Sequence, residues 1–182
     1  MNLKQLFPTI RHYQRLVLAS LLLTPLALMA DIYLTPDQFI QSAFGAKTPK
    51  MYTLWITKDL TVQAEHILGH VPKQLRQRYW KNGLQTAWIL DEIGKEEPIT
   101  TGFVIENGKI TQTIVLAYRE NRGGEVRYAG FLKQYLGASL QADTQLNKTI
   151  DGISGATLSV RAIGRMARLA LYFDKISQQE TR

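Results

Sequence analysis

The spacing of apolar positions changes along the chain, and the changes divide it. Residues 16–30 are an almost unbroken apolar run, interrupted only by Ser20, Thr24 and Pro25. Thr35-Pro36-Asp37 then predicts a short helix over residues 36–43, with Thr35 as the cap, Pro36 at the first helical position and Gly45 ending it. Residues 51–56 read as a strand, and residues 58–68 as a helix closed by Gly69. Pro72 predicts a further short helix toward Arg78.

The middle of the chain reads as a β-meander. Residues 86–91 are β-formers, and residues 100–106 and 109–118 are apolar-alternating runs separated by Asn107-Gly108. Both turn residues tolerate positive φ, so this is a strong hairpin signal. Val104, Ile110, Ile114 and Leu116 are expected to share the buried side. A polar glycine-rich turn follows over residues 119–124, then a predicted helix over residues 126–136 ended by Gly137, then a polar loop over residues 141–148. Ile163, Met166, Ala167, Ala170, Leu171 and Phe173 recur at helical spacing and predict a long closing helix over residues 158–176. The fold class that results is α+β: an antiparallel sheet flanked by helices, with a long C-terminal helix.

Length and charge refine this picture. The 182 residues suit one compact domain with a short extension. The net charge is +7, but residues 1–30 hold Lys4, Arg11 and Arg15 and no acid, so the rest of the chain carries 19 basic against 15 acidic residues. That surplus argues for no nucleic-acid partner and suits a surface near anionic lipid or acidic proteins. The basic flank followed by an apolar run of about 15 residues, shorter than the roughly 20 that span a bilayer, reads as an export signal. Ala30 before Asp31 fits a cleavage point, whereas Leu28 is larger than the usual small residue there. A cleaved signal peptide and a retained membrane anchor both stay open. The expected place is the periplasm, either free or anchored to the inner membrane. The division is then a leader at 1–30, a helical and strand N-terminal part at 31–83 and the functional core at 84–182. With no cysteine in the chain, a disulfide framework, iron–sulfur ligation and C-x-x-C-H haem attachment are excluded.

The chemistry concentrates in Asp151-Gly152-Ile153-Ser154-Gly155-Ala156-Thr157, just ahead of the last helix. A hydroxyl at Thr157 sits where a helix N-cap is expected, with Gly155 and Ala156 leaving its approach clear and Leu158 following. A phosphate there would face free N–H groups and the positive end of the helix dipole. Asp151 either orients the loop or aids recognition by a modifying enzyme. The segment resembles the flavinylation site of the FMN-binding domain family, which includes flavin subunits of the Na+-translocating NADH:quinone oxidoreductase and of the Rnf complex. The family pattern is Asp, two variable residues, Ser or Thr, Gly, Ala, then Thr or Ser, and it is complete here. The resemblance implies covalent FMN, joined by a phosphodiester to Thr157 by a Mg-dependent flavin transferase that takes it from FAD.

Tyr118-Arg119-Glu120-Asn121-Arg122-Gly123-Gly124 is also similar to the family, where a strand end and its glycine turn meet the flavin. Gly123 and Gly124 are expected to allow close backbone approach to a flat ring. Arg122 or Arg119 suits a phosphate. Tyr118, Tyr128, Phe131 and Tyr135 are candidate ring neighbours, each more readily read as core. Arg161, Arg165 and Arg168 share a helix face and would border phosphate, dock an acidic partner or face solvent. His66 and His70 have the spacing of a zinc pair but no evident third ligand, so no metal is expected. No nucleophile elbow, P-loop or dinucleotide fingerprint is found. The expected function is therefore an electron carrier or redox subunit rather than a self-sufficient enzyme, served by a membrane reductase or cytochrome as donor. A membrane-anchored flavin subunit of a respiratory complex, and a non-redox module holding a phosphate-bearing ligand, are the alternatives.

Overall fold

The computed structural model describes residues 31–179; the predicted leader lies outside the described residues. Its frame is a six-stranded antiparallel sheet of β1 (Asp31–Ile32), β2 (Lys50–Trp55), β3 (Arg76–Asn82), β4 (Gln85–Ile93), β5 (Pro98–Glu106) and β6 (Lys109–Tyr118), in the order β1-β6-β5-β4-β3-β2. From β2 to β6 each strand pairs with the next in sequence. β1 adds to the far edge, with Asp31 opposite Tyr118. Asn107 and Gly108 take φ of 52° and 70° between the paired Glu106 and Lys109, the mirror-image turn that suits a two-residue hairpin.

Three helices with more than two turns cover the sheet. α1 (Pro36–Phe44) starts with a capping box in which the Thr35 hydroxyl accepts from Gln38 N–H and the Gln38 side chain accepts from Thr35 N–H. α2 (Lys58–Leu68) is capped by the Thr57 hydroxyl and ends at Gly69 in the left-handed region. α4 (Thr157–Gln179) is the long C-terminal helix. Between β6 and α4 runs an irregular stretch containing one short α-helical turn, α3 (Ala129–Leu132), flanked by 3-10 turns at Gly124–Arg127 and Lys133–Tyr135.

α4 and α2 bury one face of the sheet. Trp88, fully buried, stacks on Tyr79 at 4.5 Å and meets Phe173 of α4 at 5.8 Å. Ile163, Met166 and Ala170 complete the contact with Phe103, Ile105 and Ile110. α1 covers the other face through Phe39 and Phe44 against Ala87, Val104 and Leu116. Phe39 lies directly on Gly102, where an added Cβ would stand 2.6–2.8 Å from three ring atoms. Gly102→Ala therefore forces a fully buried ring to move. The expected loss is about 1–3 kcal/mol of stability by overpacking, read by urea denaturation. Phe39→Leu in the same chain should recover part of it, and equal stability of Gly102→Ala and the parent would contradict this packing.

Three predicted elements need correction. Residues 72–78 are not a helix: Pro72 lies in an irregular stretch with bends at Lys73 and Leu75, and Arg76 onward is β3. Pairing with strands on both sides, together with burial of Tyr79 and Lys81 at alternate positions, overrides the helix-forming residues there. The continuous helix over 126–136 is broken into three short turns. Val104, Ile114 and Leu116 do not share a side with Ile110, because irregularities at Thr100/Thr101 and Val104/Ile105 shift the register and both faces are covered.

Candidate functional site

The loop ahead of α4 is a tight turn. The Ala156 N–H donates to the Ile153 carbonyl (3.0 Å), and Gly155 at the third position has φ 80°, which a side chain would strain. The Asp151 N–H is held by the Gln134 side chain (2.8 Å). The Ala156 carbonyl takes the first helical bond, from Val160 N–H (2.9 Å), so Ala156 occupies the cap position and Thr157 is the first helical residue. This corrects the expectation that Thr157 is the N-cap. Ala156 is buried, and Thr157 and Leu158 beside it are exposed.

A second loop braces the first. The Tyr118 hydroxyl donates to the Arg122 carbonyl and meets the Ser159 hydroxyl at 3.0 Å, tying the end of β6 to the first turn of α4. Burial raises the Tyr118 pKa, which keeps the phenol protonated for this role. Gly123 has φ 78°, and a Cβ there would lie 3.0 Å from the Ala156 Cβ and 3.1 Å from the Tyr118 hydroxyl. The glycine thus serves an approach within the protein, between two loops, rather than the approach to a ring expected from sequence. Gly124 packs toward the Arg127 and Tyr118 side chains.

Glu120 fastens a third segment. One carboxylate oxygen accepts the N–H groups of Lys95, Glu96 (2.8 Å) and Glu97 (3.1 Å) in the β4–β5 turn. Partial burial works against the charge, but the three amide donors outweigh it and hold the Glu120 pKa below the usual carboxylate value. Gly94 makes room, since a Cβ there would sit 2.7 Å from the same oxygen.

The three segments enclose an open cavity of about 560 Å³, lined by Lys95 and Glu96, by Glu120, Asn121 and Arg122, and by the stretch from Gly155 to Ser159. That volume is within the range of small-ligand clefts, about 300–1,000 Å³. Its chemistry suits a flavin phosphate: an exposed hydroxyl at Thr157, the first-turn amides of a 23-residue helix, and the cation of Arg122, with Lys95 beside it paired to Glu96 (2.8 Å). Exposed Leu158 adds an apolar surface. Asp151, Ser154, Gly123 and Gly124 border the cavity's loops without lining it. Sequence reasoning missed Lys95 and Glu96. They lie 25 and 24 residues before Glu120, and Gly94 before a charged turn was the only local sign.

The remaining candidates disperse. Tyr118, Phe131 and Tyr135 belong to the core. Tyr135 is fully buried, its hydroxyl has no hydrogen-bond partner among the described residues, and burial drives its pKa far up. Tyr128 is exposed, and the Arg127 guanidinium lies over both its ring (5.2 Å) and that of Tyr33 (4.9 Å). Arg119 donates to the Pro98 carbonyl (3.0 Å) and the Thr100 hydroxyl (2.9 Å), which leaves Arg122 as the arginine of the cavity. Arg168 donates to the Ile67 carbonyl (2.8 Å), Arg165 pairs with Glu92, and Arg161 is exposed.

His66 and His70 do not converge on a metal, and no group of three metal-ligating side chains occurs among the described residues. His70 Nε2 donates to Glu92 (3.0 Å), and Nδ1 donates to the Val71 carbonyl (3.1 Å). Both partners are acceptors, so the protonated ring, with a donor on each nitrogen, satisfies both. Those two bonds, the one to Glu92 first, raise its pKa above 6.5. The stabilisation is complete below pH 6.5 and fades as pH rises through the raised folded value. The stability difference between the parent and His70→Gln should therefore be larger near about pH 6 than near about pH 9. A pH-independent difference in urea titrations would refute the pairing.

The model of the FMN-binding domain family matches residues 94–172. No curated protein and no solved structure matches the chain. The matched segment starts at Gly94, which seats Glu120, and it contains every residue that lines the cavity. Residues 94–172 are thus similar to FMN-binding domains, and the similarity supports binding of FMN by this part of the chain.

Proposed function

We propose that this chain is an exported electron-transfer flavoprotein whose FMN is esterified through its phosphate to the Thr157 hydroxyl by a flavin transferase. The observation that carries the reading is the placing of one exposed hydroxyl, inside the complete motif from Asp151 to Thr157, on the wall of a cavity at the start of α4. In the attachment, the Thr157 oxygen gives up its proton and takes the flavin phosphate from FAD, with AMP leaving. Arg122 and the first-turn amides would balance the phosphate charge, with Lys95 within the same wall. Glu120 and the Tyr118–Ser159 pair hold the three walls at fixed spacing. FMN supplies one- and two-electron transfer when bound, and the chain's part is to orient it and limit its exposure to water.

Export is supported by the basic flank and apolar run of residues 1–30. A covalent link suits that compartment, where a dissociating cofactor is lost by diffusion. A membrane reductase or cytochrome is the expected donor, and the leader, if retained, would anchor the domain near it.

The test is the intact mass of the denatured protein recovered from cells that also make an active transferase. The expected mass exceeds that of the exported polypeptide by FMN less one water, and the yellow colour stays with the unfolded chain. A mass equal to the polypeptide alone would overturn covalent attachment. Colour that leaves on denaturation would favour reversible binding of a phosphate-bearing ligand.

A further inference from the structure

A second cleft lies beside the turn end of the β4–β5 hairpin and shares no lining residue with the cavity at Thr157. β3 and β4 pair only between Tyr79↔Trp88 and Asn82↔Gln85. Beyond that they separate. The Ile89 carbonyl accepts from the Gln77 side-chain amide (3.0 Å), and the Ile93 carbonyl from Arg165 (3.3 Å). The separation leaves a cavity of about 280 Å³, walled by Leu68, Leu90, Met166, Leu169 and Phe173. Close-packed interiors leave few voids larger than a water molecule. An apolar cleft of this size with a few polar groups at its rim has the form of a small-molecule site.

The rim selects the charge. The Glu92 carboxylate is taken by Arg165 (2.8 Å) and the His70 ring (3.0 Å). The Asp91 carboxylate keeps its charge and is engaged by the Thr100 hydroxyl of β5 (2.5 Å). Lys73, also at the rim, is in no ion pair among the described residues. The Gln74 amide lies beside it. We infer that this cleft binds a small amphipathic anion, with an apolar ring-sized body between β3, β4 and α4 and a negative head at Lys73 and Gln74.

The probe is 2-naphthoate, titrated into the full chain carrying Thr157→Ala so that the outcome does not depend on flavin attachment. Methyl spectra should show saturable shifts at Leu68, Leu90, Met166 and Leu169. Lys73→Glu should weaken binding about tenfold at low salt, because it replaces an attraction at the rim by a repulsion. Leu169→Trp should fill the cleft and abolish the shifts, with Leu90→Phe as a second filled variant if the first does not fold. Shifts that appear elsewhere, no saturation, or equal affinity for Lys73→Glu or for a folded filled variant would overturn the assignment.

Discussion

Thr157→Ala, made beside an active flavin transferase, is expected to give a folded, colourless protein at the bare polypeptide mass. The loss is complete because an ester needs the hydroxyl and alanine has none. The fold persists for reasons visible at the position. Thr157 is exposed, and as the first helical residue it carries no capping duty, which falls to the buried Ala156. Alanine is the best helix former, so the change in stability should stay within about 0.5 kcal/mol, as for surface substitutions generally. Thr157→Ser keeps a hydroxyl at the same place and should keep the flavin. Retention of the extra mass in Thr157→Ala would sink the assignment. Peptide mapping would then direct attention to Ser154, the exposed hydroxyl of the preceding turn, or to Ser159, the buried one paired with Tyr118.

Local signals carried the local elements. Thr35-Pro36 started a helix, Gly69 ended one, and Asn107-Gly108 turned a hairpin, because cap and turn chemistry acts over a few residues. The apolar spacing of Ile163, Met166 and Ala170 showed the buried side of α4. β3 was illegible for the opposite reason. Its arginines and glutamines suit a helix, and only pairing with strands on both sides makes it extended. At the site, the motif located Thr157 and the glycine turn located Arg122, but neither revealed how they are held. Gly123 looked like room for a ring and proved to be room for Ala156. Glu120 looked like a cofactor ligand and fastens the turn at residues 95–97. Contacts over 20 to 40 residues leave no trace in local spacing, so the third wall of the cavity could not be read from sequence.

Arg165→Met should destabilise the protein by about 3 kcal/mol, as removal of one partner from a buried ion pair does. The Glu92 side chain is only 4% exposed, and one of its oxygens accepts from both Nη2 (2.8 Å) and Nε (3.2 Å) of Arg165. Without the guanidinium, a buried carboxylate is left with His70, whose own side chain is 46% exposed and screened by water. Methionine keeps much of the apolar stem, so the loss reports the charge rather than a large cavity. The double variant Arg165→Met/Glu92→Leu removes the stranded charge and should recover most of the stability, which makes the cycle decisive. Guanidinium chloride denaturation of the four proteins gives the coupling. A single variant within about 0.5 kcal/mol of the parent, or a double variant no better than the single, would show that the pair is not what holds this corner. Arg165 also donates to the Ile93 carbonyl (3.3 Å), one residue before Gly94. The hairpin tip that walls the cavity beside Thr157 is thus fastened at its base by α4 and at its turn by Glu120. Arg165→Met should accordingly speed amide exchange at Lys95, Glu96 and Glu97 more than at β5 residues opposite β6, because loss of one fastening leaves the tip held by the other alone.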